Sequence, residues 1–185
     1  TNKILSFNIF YDDDIMQLNQ YLNRRNISSS IVLNLNREKL WELITSPGHL
    51  NNCHPFCKTN DIIRWEDDCH EDVLTYLNGL TYKRVFQNWD PGYGYDLLIG
   101  EENGPQSHVV WKIHEIAENQ CSLTITVYPY LLTHWPRILS FIPFSIWIKP
   151  RLGRYLDSVL SGFDYFIKKN EQVPPNFKGK HPWFS

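Results

Sequence analysis

Apolar and polar positions change period several times along the chain, and each change marks an element. Over residues 28–35, Ile31, Leu33 and Leu35 alternate with Ser30, Val32 and Asn34, which predicts a strand with one buried face. From Arg37 the period lengthens. Leu40, Trp41 and Ile44 fall on one side of a helix that Asn36 can cap and Pro47-Gly48 ends, and a second short helix is expected to finish by His54-Pro55. Six alternating runs follow: residues 61–66, 72–77 and 80–89, one carrying Tyr93, Tyr95, Leu97 and Ile99, one carrying Val109, Trp111 and Ile113, and residues 121–130. Turn residues separate them with no long crossover, so an antiparallel meander is predicted rather than βαβ units. After Pro150, the residues Leu152, Tyr155, Leu156, Val159, Leu160, Phe163, Phe166 and Ile167 form a wide helical stripe that Pro150 is placed to start. Lys168-Lys169 suit its C-terminal end, and Pro174-Pro175 prevent its continuation.

The turn at Asn78-Gly79 allows a register to be derived. A two-residue type I′ turn sets Leu77 opposite Leu80, Thr75 opposite Tyr82 and Val73 opposite Arg84. Val73, Thr75, Leu77, Tyr82, Arg84 and Phe86 would then share one face, and Leu74, Tyr76, Lys83 and Val85 the other. Arg84 among apolar neighbours must find a partner. Two partners suit it: a ligand carboxylate held as a bidentate fork, or Glu71 or Asp72 at the sheet edge.

Composition narrows the partners. With 42% hydrophobic and 15% aromatic residues the 185-residue chain can build one core, and a net charge of -2 provides no cationic field for nucleic acid. Four cysteines are too few for a disulfide scaffold, and the N-terminal residues lack a signal-peptide pattern, so a cytoplasmic location is expected. Residues 1–26 read as an extension with a helix carrying Ile15, Leu18, Tyr21 and Leu22 after Asp12-Asp13-Asp14, residues 27–170 as the domain, and 171–185 as a tail. The least polar stretch, residues 138–148, opens on Ile138 and closes on Ile148. It is far shorter than the roughly 20 residues of a membrane span. Flanked by Arg137, Lys149, Arg151 and Arg154, it reads either as a gate packed on the core or as a peripheral membrane anchor.

Candidate chemistry is sparse. His49, Cys53, His54, Cys57, Cys69 and His70 supply zinc donors, but Cys53 and Cys57 lack the two-residue gap of a zinc knuckle and Cys69-His70 would diverge in a strand, so no metal is expected. No nucleophile or phosphate-loop motif is present, and no cofactor is expected. His108 and His114 share the strand face opposite Trp111 and read as solvent-facing, while His54 reads as capping or packing the helix turn.

The segment Asn36-Arg37-Glu38-Lys39-Leu40-Trp41-Glu42-Leu43-Ile44-Thr45-Ser46-Pro47, followed by Asn52-Cys53-His54-Pro55-Phe56, resembles the opening of many bacterial members of the SRPBCC superfamily, which includes START domains, polyketide cyclases and pollen-allergen relatives. The element order agrees over about residues 27 to 170. The resemblance implies an α+β helix-grip fold: a curved antiparallel sheet of about seven strands around a long C-terminal helix, with two short helices after the first strand. It also implies a cavity between sheet and helix for a lipid, polyketide or other apolar molecule. Tyr82, Arg84, Phe86, Tyr95, Leu97, Trp111, Leu156, Val159 and Phe163 are the residues expected to line it, and the small Ser161-Gly162 step is read as leaving room. Binding or transfer of such a molecule is the favoured function. A cofactor-independent cyclase or dehydratase is the alternative, drawing an acid or base from Tyr82, Tyr95, Tyr128, His114 and Asp96. A partner-binding domain with a filled core is the third reading.

Overall fold

The computed structural model describes residues 24–66, 69–132, 135, 136 and 138–185. The helix expected before Arg24, and with it nearly all of the N-terminal extension, lies outside the described residues. Seven strands form a single antiparallel sheet: β1 (Ile27–Leu33), β2 (Cys57–Glu66), β3 (Cys69–Tyr76), β4 (Thr81–Asp90), β5 (Gly94–Gly100), β6 (Gln106–Ala117) and β7 (Gln120–Tyr128). Their order is β1-β7-β6-β5-β4-β3-β2, a meander onto whose last strand β1 folds back. Irregularities in register in β2, near Phe86 in β4 and near Glu115 in β6 bend the sheet.

Between β1 and β2 lie α1 (Arg37–Thr45) and α2 (Leu50–Cys53). The expected cap is present: Lys39 N–H donates to Asn36 Oδ1 at 2.9 Å. Leu40 and Ile44, four apart, are fully buried and fix α1 to the core.

The terminal helix starts earlier than Pro150. A turn of helix, α3 (Phe141–Pro143), runs through a π-helical turn, Phe144–Ile148, into α4 (Lys149–Lys169). Pro150 has no N–H for the carbonyl four residues back, and the widened turn before it takes the Lys149 N–H to Phe144 O instead. Residues 138–148 are therefore largely helical, with Phe144 and Ile148 buried. At the other end Asn170, in the left-handed region at φ 52°, closes the helix by donating its N–H to Phe166 O. Leu152, Leu156, Val159, Leu160 and Phe163 form the buried stripe of α4.

The β3–β4 hairpin departs from the derived register by one residue. Thr75 faces Thr81, Leu74 faces Tyr82 and Asp72 faces Arg84. Asn78 keeps negative φ and only Gly79, at φ 87°, is left-handed, so the loop is Leu77-Asn78-Gly79, with Gly79 N–H donating to Tyr76 O and Tyr76 N–H to Leu80 O. A type I′ turn needs positive φ at both central residues, whereas a three-residue loop needs it only at the last. Leu77 N–H is drawn instead to Phe56 O at 3.0 Å. Arg84 and Tyr82 thus share the inner face with Leu74, Tyr76 and Asp72, not with Val73, Thr75 and Leu77.

Gly162 serves close packing and leaves no room for a ligand. A Cβ there would stand 2.1 Å from the Cys53 carbonyl oxygen and 3.0 Å from Pro55, because α4 crosses directly over the end of α2. Gly162→Ala would gain helix propensity of about 1 kcal/mol and still lose more to the forced separation. A net destabilisation of about 1–3 kcal/mol, measured by urea unfolding, is expected, and an unchanged or raised midpoint would refute this packing role.

Candidate functional site

Asp72 and Arg84 meet across the β3–β4 ladder inside the core. Both are buried, Arg84 at 2% exposure and Asp72 at 0%. Arg84 Nε donates to Asp72 Oδ1 at 2.6 Å, and Nη2 donates to Oδ2. Burial works against the guanidinium's charge, but the Asp72 carboxylate more than offsets it and holds Arg84 above its ordinary pKa. Of the two partners open from sequence, the carboxylate is Asp72, in the core rather than at the sheet edge. Glu71 points to the other face and pairs with Lys83 at 2.9 Å. The pair engages Nε and Nη2, leaving the Nη1 hydrogens outside it.

Beside this pair lies a chain of three hydrogen-bonding side chains from three elements. His54, at the C-cap of α2, accepts the Phe56 N–H at Nδ1, so its proton sits on Nε2 and is donated to Tyr155 Oη of α4 at 2.9 Å. Tyr155 Oη lies 3.2 Å from Tyr76 Oη of β3. Three donor hydrogens share two links, so whichever phenol donates within the chain, one phenolic O–H remains uncommitted among the described residues. Burial pushes the Tyr155 phenol up to about 12 and the Tyr76 phenol upward as well. Burial, with the Arg84 charge adding to it, pushes His54 down to about 3, and the same two causes push the buried His49 to about 3. The sequence expects His54 to cap or pack the helix turn, and it does cap α2, but nothing in its spacing to Tyr76 and Tyr155 signals a site.

His54, Tyr76, Arg84 and Tyr155, together with Tyr82 and Ser107, supply the polar lining of a cavity of about 100 Å³. The rest is apolar: Leu50, Leu74, Leu97, Ile99, Val109, Trp111, Ile125, Val127, Leu152, Leu156, Val159 and Phe184. An outer pocket of about 310 Å³ adjoins it, lined among others by Leu80, Tyr130, Leu131, Trp147 and Trp183. Tyr82, Ser107, Val127, Leu152 and Phe184 line both spaces. The C-terminal tail supplies the partition. Phe184 stacks on Tyr76 at 4.4 Å between ring centres and on His181 at 5.1 Å. His181 Nε2 donates to Arg151 O at 3.1 Å, and Asn78 Nδ2 donates to Trp183 O at 2.9 Å.

Of the nine residues expected to line the cavity, Tyr82, Arg84, Leu97, Trp111, Leu156 and Val159 do so. Phe86, Tyr95 and Phe163 do not. Phe86 and Tyr95 belong to an aromatic cluster with Trp89, at 5.5 and 5.4 Å, and Phe163 packs on Trp111 at 5.5 Å and His49 at 6.0 Å. Within the suggested acid–base set, only Tyr82 reaches the cavity. Tyr95 donates to Ile44 O at 3.3 Å, His114 is exposed, and Asp96 takes the Asn88 amide at 2.7 Å on the other face. His108 is buried, stacked on Tyr128 at 5.6 Å and 3.4 Å from Asp96, rather than solvent-facing. Among the described residues no three His, Cys, Asp or Glu side chains converge as metal ligands do.

No family model and no curated protein matches the sequence. Solved structures do match it in shape. A START superfamily protein from Mycobacterium smegmatis superposes with a TM-score of 0.60 at 10% identity, over 78% of this chain and 98% of that one. DynU16, a protein in the dynemicin biosynthetic locus, gives 0.60 at 11% identity over 80% of this chain, and BexL, a di-domain ARO/CYC from the BE-7585A biosynthetic pathway, gives 0.60 at 10% over 78%. The chain spans about half the length of these last two, 48% and 46%. At such identities the likeness is one of fold: a curved antiparallel sheet wrapped around a long C-terminal helix.

The neutral histidines make stability pH-dependent. Unfolded histidine takes a proton near 6.5, while His54 in the fold stays neutral to about 3. Between those values the unfolded state binds the extra proton, so stability is full above about 6.5 and declines as pH falls. His54→Gln should make the slope of unfolding free energy against pH shallower by about 1.4 kcal/mol per pH unit between pH 6 and 4. Urea titrations across that range measure it, and parallel slopes for the two proteins would show that His54 is not held neutral.

Proposed function

We propose that the chain binds an apolar small molecule carrying one neutral hydrogen-bond acceptor, in the manner of a binding or transfer protein. The observation that carries this is the cavity's lining: mostly apolar, with few polar groups, among them an uncommitted phenolic hydrogen of the Tyr76–Tyr155 pair and the Arg84 guanidinium. Ligand sites combine apolar lining with a few placed polar groups in this way. A carbonyl or hydroxyl oxygen suits these polar groups better than a carboxylate. Asp72 already occupies two hydrogen bonds of Arg84, and a second buried carboxylate beside it would add like charge where little solvent screens it.

The cyclase reading is weaker on the same geometry. General acids and bases work best with a pKa near the operating pH. Tyr155 is pushed up to about 12 and His54 down to about 3, so both are poised to hold hydrogen bonds and not to exchange protons near neutrality.

Size sets a further condition. An apolar cavity of about 150 Å³ accommodates benzene, so the inner space of about 100 Å³ takes only a very small group. Larger ligands need the outer pocket, reached when Phe184 moves aside. Phe184→Ala should therefore bind a fluorescent long-chain alcohol or methyl ketone at least tenfold more tightly than the wild type, with the matching carboxylate weaker in both. Val159→Trp, which fills the inner cavity, should abolish the gain when combined with Phe184→Ala. Absence of binding by wild type and Phe184→Ala across neutral probes of graded length would refute the reading.

A further inference from the structure

The helical segment before α4 turns an apolar face outward. Phe144 and Ile148 anchor it inward, yet Ile138 is 88% exposed, Ile146 73%, Ile142 64% and Leu139 62%, with Phe141 and Trp135 more than half exposed. Large apolar side chains concentrated on one face mark an interaction site, unlike scattered single ones. The charge along the chain on either side of it has one sign. From residue 119 to residue 156 the chain contains no Asp or Glu, but it does contain Arg137, Lys149, Arg151 and Arg154, in a protein whose net charge is -2. Lys149 and Arg154 are exposed, and the Arg151 guanidinium lies 5.0 Å from the Trp147 ring, which itself lines the outer pocket.

We propose that this face docks on an anionic lipid bilayer, with the isoleucines and Phe141 entering the interface and the basic residues meeting the headgroups. Three features favour lipid. Apolar residues with flanking cations and tryptophans are the makeup of an interfacial helix. No helix among the described residues is long and apolar enough to cross a membrane, so the segment would lie in the interface. A second copy fits poorly: a two-fold contact through this patch brings the same basic rim against itself, and residues 119–156 offer no carboxylate to pair with it. Docking would place the mouth of the outer pocket, through Trp147, at the lipid surface.

The test uses the full chain and no pocket ligand, so its outcome is independent of the binding reading above. Vesicles of phosphatidylcholine with one quarter phosphatidylglycerol should co-sediment the protein at least tenfold more strongly than phosphatidylcholine alone, and the difference should shrink at high salt. The triple variant Ile138→Ser, Ile142→Ser, Ile146→Ser should lose at least tenfold in partitioning with its thermal midpoint unchanged, since these side chains are exposed. Ile116→Ser, an exposed residue on β6, should leave binding unaltered, and Lys149→Glu with Arg154→Glu should remove the preference for anionic lipid. Failure to sediment with either vesicle overturns the proposal, as does equal binding by the triple variant. A wild type that sediments as a dimer without lipid and turns monomeric in the triple variant would assign the face to self-association instead.

Discussion

The buried pair between Asp72 and Arg84 is the constraint on which the inner face of the sheet depends. A guanidinium at 2% exposure is tolerable only with its carboxylate in place, because removing one partner of a buried pair typically costs about 3–5 kcal/mol. Antiparallel pairing alone does not choose between neighbouring registers, but a one-residue slip of β3 on β4 would put Val73 opposite Arg84 and carry the Asp72 carboxylate to the far face. The charge left behind penalises that alternative far more than any lost apolar contact. Once Asp72 is fixed inward, the alternation of β3 sends Leu74 and Tyr76 inward too, and Tyr76 comes within 3.2 Å of Tyr155 on α4. This polar part of the cavity lining is thus a consequence of the register, which the ion pair enforces.

Arg84 shows how far the sequence could be read. Its inward direction was legible, because a strand with Tyr82 and Phe86 at two-residue spacing has one buried side whichever way its partner lies. The register of its partner strand was not legible. Asn78-Gly79 fits both a two-residue turn and a three-residue loop ending on Gly79, and the contacts that go with the three-residue loop, the Asp72–Arg84 pair and Leu77 N–H bonding Phe56 O, 21 residues away in the chain, are tertiary ones. The same limit applies to His54, Tyr76 and Tyr155, which are distant in sequence and meet only because α4 lies across the sheet. Periodicity identified the elements and their order well, since each buries one face and alternates accordingly. It failed where a residue had two plausible uses: Gly162, small enough to leave space, instead allows α4 to touch the carbonyl of Cys53, and Pro150, suited to start a helix, sits within one that the π turn makes continuous.

The tail contributes part of the wall that the two spaces share. Phe184 buries its ring against Tyr76, Tyr155 and His181, and such burial stabilises by roughly 1.5–3 kcal/mol. On the proposed binding reading, a ligand larger than the inner cavity would have to displace that ring, and its affinity would be that for the open state reduced by the fraction of molecules that are open. The same ring takes up apolar volume between sheet and helix that would otherwise enlarge the cavity. Trp183 links this partition to the exposed face: its ring meets Trp147 at 5.3 Å, edge to face, from the helical turn that carries Ile146. Movement of that turn is therefore felt one residue from Phe184. A surface that engaged the exposed isoleucines would thus bear on the turn whose Trp147 packs against Trp183, next in the chain to the Phe184 that lines both spaces.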